Sequence, residues 1–193
     1  MYKQCKTEQS ANRQRELEQS LLAAMEHEHY DEITVSDLCE RAGIPRKSFY
    51  RYFSSKDGAL HALMDHTMMD FESFSGPYRP GMSRSLQRDM ERYFMFWAEK
   101  KDFLRVMESS DLVGVLIQRA VDTVVMDRSI PQRFLPEDEG FTRKQILFFS
   151  VCGLMTMVFK WHQSGFVQTP QQMAQVAVRL LTSPLFPDVE RFF

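Results

Sequence analysis

Residues Thr34–Leu60 read TVSDLCERAGIPRKSFYRYFSSKDGAL, and this stretch decides the fold of the N-terminal part of the chain. Thr34 and Asp37 stand three residues apart, as in a capping box that opens a helix. Apolar residues follow at helical spacing until Gly43, which suits a helix end because glycine tolerates positive φ. Pro45 suits the first turn of a second helix, where its missing N–H would have no partner anyway. Two short helices joined in this way predict a helix-turn-helix whose second helix enters a DNA major groove.

Positive charge is concentrated in the same stretch. The chain has 24 Lys and Arg against 26 Asp and Glu, so it is not a basic protein overall. From Arg41 to Lys56, however, it carries five basic residues and no acidic residue. A basic run is often only a solvated surface, but this one coincides with the predicted second helix, where phosphate contacts would lie. Phe49 and Phe53 are one turn apart and are expected to pack on the first helices, whereas Tyr50 lies on another face.

These residues resemble the N-terminal signature of TetR-type bacterial transcriptional regulators. The resemblance is carried by ITVSDLCERAGI (33–44), RKSFYRYF (46–53) and the Ser-Lys pair at 55–56. It implies that Ser48 and Tyr50 bind phosphate and that Lys56 grips the DNA backbone, while Pro45 stands where Ser or Asn often contributes. The predicted DNA-binding residues are Thr34, Pro45, Arg46, Lys47, Ser48, Tyr50, Arg51, Tyr52 and Lys56.

Length and composition indicate a folded, cytoplasmic protein. A chain of 193 residues accommodates a helical module of about 60 residues and a larger second domain. The polar N-terminus does not fit the apolar core of a signal peptide. The most apolar stretch, 146–159, contains Ser150, Gly153 and Thr156 and is shorter than the ~20 apolar residues that span a bilayer. We therefore expect no membrane association.

No catalytic or metal-binding pattern is recognisable in the sequence. The three cysteines, Cys5, Cys39 and Cys152, lie far apart. His61 and His66 are five residues apart, which is not the i, i+4 spacing that places two ligands on one helical face. The chain has neither a glycine-rich phosphate loop nor a nucleophile motif. We expect no enzymatic activity, no cofactor and no metal.

The rest of the chain predicts an all-α fold in which a three-helix DNA-binding module precedes a larger helical domain. We place the helix-turn-helix domain at 8–56, with a first helix from Glu8 to Glu28. A connecting helix at 56–75 would open with a capping box of Ser54 and Asp57 and would alone link the domains. The effector-binding and dimerisation domain would comprise 76–193. Its helices are expected at 83–100, 102–109, 112–126, 141–164 and 171–181, with loops at 76–81 and 128–140.

The helix at 141–164 is apolar nearly all round in its middle, so more than one of its faces must be covered. Both this helix and the next could simply be core. In TetR-type proteins, however, the last two long helices pair with their counterparts in a homodimer. We therefore predict an interface formed by Phe149, Val158, Val176 and Leu180. An apolar pocket for an unknown small-molecule effector is predicted beside Phe94, Trp97, Met107, Phe148 and Met155.

A second resemblance lies near the C-terminal end. Residues WHQSGF (161–166) and TPQQMA (169–174) are similar to the C-terminal domain in the subgroup that includes regulators of dihydroxyacetone kinase operons. Together the two resemblances imply a dimeric repressor that leaves a palindromic operator in double-stranded DNA when an effector binds. An activator, or a regulator controlled by a protein partner, stays open. So does a helical ligand-binding or adaptor protein that does not bind DNA.

Overall fold

The structure, a computed structural model, describes residues 1–75, 85–126 and 141–182. Within these residues all regular structure is helical, which confirms the all-α prediction. The helices are α1 (Glu8–Met25), a short 3-10 helix (Tyr30–Glu32), α2 (Val35–Arg41), α3 (Arg46–Phe49), α4 (Lys56–Ser75), α5 (Leu86–Glu99), α6 (Lys101–Ser109), α7 (Val113–Met126), α8 (Phe141–Gln163) and α9 (Pro170–Thr182). The predicted loops at 76–81 and 128–140 lie outside the described residues.

The helices form two compact units that do not follow their order along the chain. Among the described residues, the first unit contains 1–70 and 102–126, and the second contains 71–75, 85–101 and 141–182. Most of α6 and all of α7 therefore pack with the helix-turn-helix. Helix α4 is consequently not the only link between the units, because the chain also passes from one to the other after Lys101. The division into functional domains at residue 76 stays a prediction.

The turn between α2 and α3 is a Schellman motif. The N–H of Ile44 donates to the carbonyl of Cys39 (2.9 Å), and the N–H of Gly43 donates to that of Glu40 (3.1 Å). Gly43 has φ 63°, the left-handed conformation in which a Cβ would be strained. Pro45 then stands at the N-cap of α3, one position earlier than predicted. These local bonds set the angle at which α3 leaves α2.

The first unit is held together by an apolar core to which each of its α-helices contributes. Apolar side chains of α1 and α4 are buried, as are Phe49 and Phe53 after the helix-turn-helix bend. Each such side chain stabilises the fold by about 1.5–3 kcal/mol when fully buried. The fully buried residues include Leu17, Leu21, Ile33, Leu38, Phe49, Phe53, Leu63, Met64, Leu104 and Met107.

The start of α4 differs from the predicted capping box of Ser54 and Asp57. Oγ of Ser55, not Ser54, accepts an N–H of the first turn (3.1 Å). The hydroxyl of Ser54 donates instead to the carbonyl of Met1 (2.7 Å), and the carboxylate of Asp57 accepts the hydroxyl of Tyr30 (2.5 Å). The prediction was wrong because partners distant in sequence compete for both side chains.

The N-terminal arm, residues 1–6, lies along the turn between α3 and α4. Tyr2 and Phe53 form an isolated antiparallel β-bridge. The N–H of Lys3 donates to the carbonyl of Tyr52 (2.9 Å) and the N–H of Ser54 donates to that of Met1 (3.1 Å). The arm is therefore fixed by backbone bonds of the kind that pair strands in a sheet.

Gly58, in the first turn of α4, makes room for this arm. A Cβ at position 58 would lie 2.6 Å from the carbonyl oxygen of Met1, too close for any real contact. Glycine inside a helix costs about 1 kcal/mol relative to alanine. The arm can take its place only because residue 58 has no side chain.

Asp65, in the middle of α4, joins the arm and α7 to that helix. Arg119 donates from Nε to Oδ1 of Asp65 (2.7 Å) and from Nη2 to Oδ2. The hydroxyl of Tyr2 donates to Oδ2 of the same carboxylate (2.9 Å). Burial of the Tyr2 ring, followed by this hydrogen bond, raises the pKa of Tyr2 to about 12. A two-pronged guanidinium–carboxylate pair is among the strongest polar contacts in proteins.

Polar pairs also fasten α1 to α4. The carboxylate of Glu18 is fully buried and lies 2.9 Å from Nδ1 of His66. Arg15 pairs with Asp70 one turn further along α4 (2.9 Å). These contacts fix the helix that braces the helix-turn-helix.

The second unit is built around aromatic rings. Helix α5 packs mainly against α9 and also against α8. Phe71, at the end of α4, makes edge contacts with Tyr93 and Phe96 of α5. The turn from α8 to α9 is closed by Trp161, whose Nε1–H donates to the carbonyl of Gln168 (2.9 Å).

We expect the Asp65–Arg119 pair to contribute substantially to stability. Arg119→Met leaves a carboxylate without its cation in a place where only 12% of the Asp65 side chain is exposed. The free energy of unfolding in urea, measured at one protein concentration, should fall by about 3 kcal/mol. Arg105→Met is the matched control, because Arg105 pairs with Asp102 while its side chain is 56% exposed. That variant should lose at most about 1 kcal/mol. Equal losses in the two variants would contradict a stabilising role for the buried pair.

Candidate nucleic-acid interface

Helix α3 and the turn after it separate into a buried side and an exposed side. Phe49 and Phe53 are completely buried, and their ring centroids are 5.1 Å apart. Tyr50 is 44% exposed, and its ring meets Phe49 edge-on. Arg46 and Lys47, in the first turn, are exposed. The buried rings therefore orient the helix, and the basic residues and Tyr50 face solvent.

Three cations of this surface are available to an external anion. Arg46, Lys47 and Arg51 are exposed and form no ion pair with any residue that the structure describes. Arg41 differs, because its guanidinium pairs with Glu28. Unpaired, exposed cations beside a tyrosine hydroxyl are suited to contact the phosphates of a nucleic acid.

Thr34 is bound within its own capping box. Its hydroxyl donates to Oδ2 of Asp37 (2.7 Å) and accepts the N–H of Asp37 (3.3 Å), while its own N–H donates to Oδ2 of that residue (2.8 Å). Hydrogen bonds from the hydroxyl and the N–H of Thr34 hold the pKa of Asp37 below its ordinary value. The box is present as predicted. A hydroxyl has one hydrogen to donate, so Thr34 would have to leave Asp37 before donating to a phosphate.

Lys56 is likewise anchored inside the protein. Its Nζ donates to the carbonyls of Tyr30 (2.6 Å) and Asp31 (3.3 Å) and lies 4.2 Å from the centroid of the Tyr30 ring. The Tyr30 ring is buried, and burial together with its bond to Asp57 raises the pKa of that tyrosine. An ammonium group has three hydrogens, so one stays available to a phosphate. Tyr30 was missed from the sequence because its partners are more than 20 residues away.

The remaining predicted DNA-binding residues lie on the same segment. Pro45 is exposed, and Ser48 and Tyr52 are half-buried. The structure thus places all nine predicted residues between the start of α2 and the start of α4, in the first unit. Their contacts with DNA stay a prediction.

The residues predicted to line a pocket are divided between the two units. Phe94, Trp97 and Met155 are buried and Phe148 is half-buried in the second unit, whereas Met107 is buried in the first. Within the second unit, Tyr93 donates its hydroxyl to the sulfur of Met155 (3.3 Å). Burial raises the pKa of Tyr93. The pocket stays a prediction.

Three of the four residues predicted to meet a second subunit are exposed. Phe149 is 65% exposed, Val176 51% and Leu180 42%. Val158 is completely buried within the protomer, so its predicted place at the interface is wrong. Helical periodicity failed at this position because α8 is apolar on both its inner and outer faces.

Helix α8 is the one helix among the described residues that is long and apolar enough to cross a membrane. Its window from Lys144 to Gln163 has a mean hydropathy of 1.2, and only 22% of it is buried in the protomer. Cys152, Gly153 and Thr156 are exposed on the outer face of this helix. The absence of membrane association therefore stays a prediction.

Residues 22–63 match the sequence pattern of the bacterial regulatory proteins of the tetR family. The helix-turn-helix region therefore has the sequence pattern of the TetR family. The matched segment runs from α1 into α4 and contains the exposed basic surface of α3.

Solved structures are similar to this TetR-type chain over most of its length. A TetR transcriptional regulator from Streptococcus agalactiae 2603V is 13% identical, with a TM-score of 0.61 over 90% of this chain and 95% of that one. The dihydroxyacetone kinase operon activator DhaS is 17% identical, with a TM-score of 0.53 over 88% and 93%. The fatty acid degradation regulator FadR from Bacillus halodurans is 12% identical, with a TM-score of 0.55 over 94% and 98%. A search of curated protein sequences gave no significant match.

Identities this low establish the fold and nothing finer. The TetR-type helix-turn-helix pattern and the TetR fold support a DNA-binding transcriptional regulator. The similarity to the dihydroxyacetone kinase regulators stays a resemblance of the C-terminal motif.

The capping box of α2 should make the module sensitive to acid. Because the folded state holds the pKa of Asp37 below its ordinary value of 3.8, the box stabilises the fold above that pH. The contribution is lost as the pH falls through the lower pKa of the folded state. In Thr34→Val the pKa of Asp37, followed by NMR of its carboxyl carbon, should rise toward 3.8. Thr7→Val, at the cap of α1, should leave that pKa unchanged. An unshifted Asp37 in Thr34→Val would show that the box does not stabilise the ionised carboxylate.

Proposed function

We propose that this protein is a cytoplasmic, dimeric repressor that binds a palindromic operator and leaves it when a small molecule occupies the second unit. The observation that carries the proposal is the exposed, acid-free surface of α3. There Arg46, Lys47 and Arg51 form no ion pair within the described part of the chain, and Phe49 and Phe53 fix the opposite, buried side of the segment. A rigid helix with free cations on one side suits insertion into a major groove.

The proposed interface contains residues that position the protein on the DNA backbone and residues that read the bases. Tyr50 and Lys56 would contact phosphates, which fixes the protein on the duplex without reading its sequence. Arg46 and Lys47 are in the first turn of α3, where a recognition helix meets base edges. Long basic side chains at such positions bond O6 and N7 of guanine.

Dimerisation through α8 and α9 would provide the second recognition helix. Phe149, Val176 and Leu180 leave an apolar surface uncovered on these helices. A second copy of the chain is the occupant that we propose, because pairing of such helices is typical of the family. A two-fold dimer then reads two half-sites one DNA turn, about 34–36 Å, or a multiple of it apart.

Release by an effector follows from this arrangement. A ligand that prefers a dimer with a different spacing of the two recognition helices must weaken DNA binding, and DNA must weaken ligand binding by the same factor. Such coupling is typically about 1–3 kcal/mol. The coupling between ligand and DNA binding would pass through α4 and through the chain after α5, because both connect the two units.

Activation is the alternative with a specific observation in its favour. One structurally similar protein, DhaS, is named an operon activator. A reporter gene fused to the DNA upstream of this protein's own gene separates the two functions. Its expression rises on deletion of a repressor and falls on deletion of an activator.

Variants of α3 test DNA binding and base reading. We expect Arg46→Ala or Lys47→Ala to weaken binding to the upstream DNA by about 1–3 kcal/mol and to relax its sequence preference. Tyr50→Phe should weaken binding to all duplexes by one common factor, because a phosphate contact carries no sequence information. Fluorescence anisotropy with the upstream fragment and a mixed-sequence duplex measures both effects.

Lys101→Ala, which removes an exposed cation from α6, is the control for loss of charge alone. If Arg46→Ala and Lys47→Ala both kept wild-type affinity and preference, base reading would not reside at these positions. A wild-type protein that shows no salt-dependent binding to either duplex would favour the adaptor alternative, because counterion release accompanies any phosphate contact.

A charge on the outer surface of α9 should separate the subunits. In Leu180→Glu an unpaired carboxylate would be buried on association, which is costly. Sedimentation at micromolar concentration should therefore show a dimer for the native protein and a monomer for this variant. Met95→Glu is the matched control, because Met95 on α5 is also 42% exposed in the same unit. A native monomer, or equal dissociation of both variants, would count against the proposed interface.

A further inference from the structure

The N-terminal arm carries a cation beside the proposed DNA-binding surface. Lys3 is exposed, and its ammonium group makes no ion pair with any described residue. Its backbone is held on both sides: the N–H donates to Tyr52 (2.9 Å), and the carbonyl accepts Nε2 of the buried Gln14 (3.2 Å). The position of Lys3 is thus fixed although its side chain is free.

The β-bridge places the backbone of Lys3 beside Tyr52. Tyr2 lies opposite Phe53, and both turn inward: Phe53 is fully buried and the hydroxyl of Tyr2 reaches Asp65. Lys3 itself is exposed, and the bridge brings it opposite Tyr52, whose half-buried ring lies beside that of Phe53 (6.3 Å between centroids). Directly opposed side chains of antiparallel segments are neighbours, with Cβ atoms about 4.5–5.5 Å apart.

We infer that Lys3 is an additional DNA-backbone contact, placed beside Tyr52 by the docked arm. The inference rests on the proposed function, because it extends the surface of α3 by one positive charge. The chemistry is that of an ammonium group with a phosphate oxygen, which binds without reading bases. The arm is held in place before DNA arrives, so little ordering is needed on binding.

Salt dependence of DNA binding tests this contact. For duplex DNA the slope of log K against log salt concentration is about −0.9 per neutralised phosphate. Lys3→Ala should make this slope shallower by about 0.9 for each subunit bound. It should weaken binding to the upstream fragment and to a mixed-sequence duplex by the same factor. Lys3→Arg should retain the slope of the native protein, and Lys101→Ala should leave it unchanged.

Gly58→Ala tests the effect of the position of Lys3 separately from the effect of its charge. A Cβ at position 58 would lie 2.6 Å from the carbonyl oxygen of Met1, so this variant displaces the arm while keeping every cation. It should reproduce the slope of Lys3→Ala, and the double variant should lose nothing more. Alanine also favours a helix over glycine, so α4 is not weakened. Because Met1 lies against Ser54, a purification tag belongs after residue 193.

The outcomes distinguish this inference from the proposed function. If the native protein binds neither duplex in a salt-dependent way, the proposed function fails and the inference fails with it. If the native protein binds but Lys3→Ala behaves like Lys101→Ala, only the inference is overturned. If Lys3→Ala lost affinity unequally for the two duplexes, Lys3 would read bases and would not be a phosphate contact, which overturns the inference. If Gly58→Ala kept the salt slope of the native protein while Lys3→Ala had a shallower slope, the docked arm would not be what places Lys3 on the DNA.

Discussion

The carboxylate of Asp65 is the constraint on which the first unit depends. A carboxylate that is mostly removed from water in the middle of α4 must be paired, since an unpaired buried charge is far more costly than the pair is favourable. Arg119 supplies the opposite charge from α7, and Tyr2 supplies a hydroxyl from the arm. Satisfying this one group draws two segments from opposite ends of the unit's sequence onto the helix that follows the recognition helix. Through Arg119 the contact joins the two parts of the chain that make up the unit, residues 1–70 and 102–126.

The proposed DNA-binding surface combines two kinds of polar group. Thr34 and Lys56 are committed to bonds inside the protein, where they close a cap and hold the 3-10 helix against α4. Arg46, Lys47 and Arg51 have no such bonds among the described residues and can move with a ligand. The hydrogen-bonded groups keep the backbone of the helix-turn-helix in one conformation, and the exposed cations can adjust their side-chain conformations to a bound ligand. A surface of this kind combines a rigid backbone with side chains that lose conformational entropy only when they bind.

Local chemistry explains what the sequence could predict. The capping box at Thr34, the left-handed Gly43 and the buried pair Phe49 and Phe53 depend on neighbours within a few residues, so spacing alone reveals them. The remaining features depend on contacts across tens of residues. Periodicity places α6 and α7 as helices but cannot show that they pack with the helix-turn-helix. It also cannot orient α8, because Val158 and Phe149 are equally apolar although one is buried and the other exposed.

Long-range partners also explain the errors at the start of α4. Ser54 and Asp57 have the spacing of a capping box, yet Met1 and Tyr30 occupy their side chains. A residue pattern states what a side chain can do with its neighbours, and the fold decides which partner it meets. The same limit applies to the proposed DNA-binding surface, where the sequence pattern singles out Lys56 but does not reveal its contacts with Tyr30.

The residue at position 58 indicates whether a relative of this protein can have a docked N-terminal arm. The hydrogen side chain of Gly58 is the condition for the close approach of the Met1 backbone, so this glycine is required as long as the arm is docked. A lineage that loses the arm is released to place alanine at position 58 and gain helix stability. A lineage that keeps the arm must retain glycine in the first turn of α4, where few other demands would select it. Paired inheritance of this glycine and of the docked arm would therefore trace the history of the attachment among relatives.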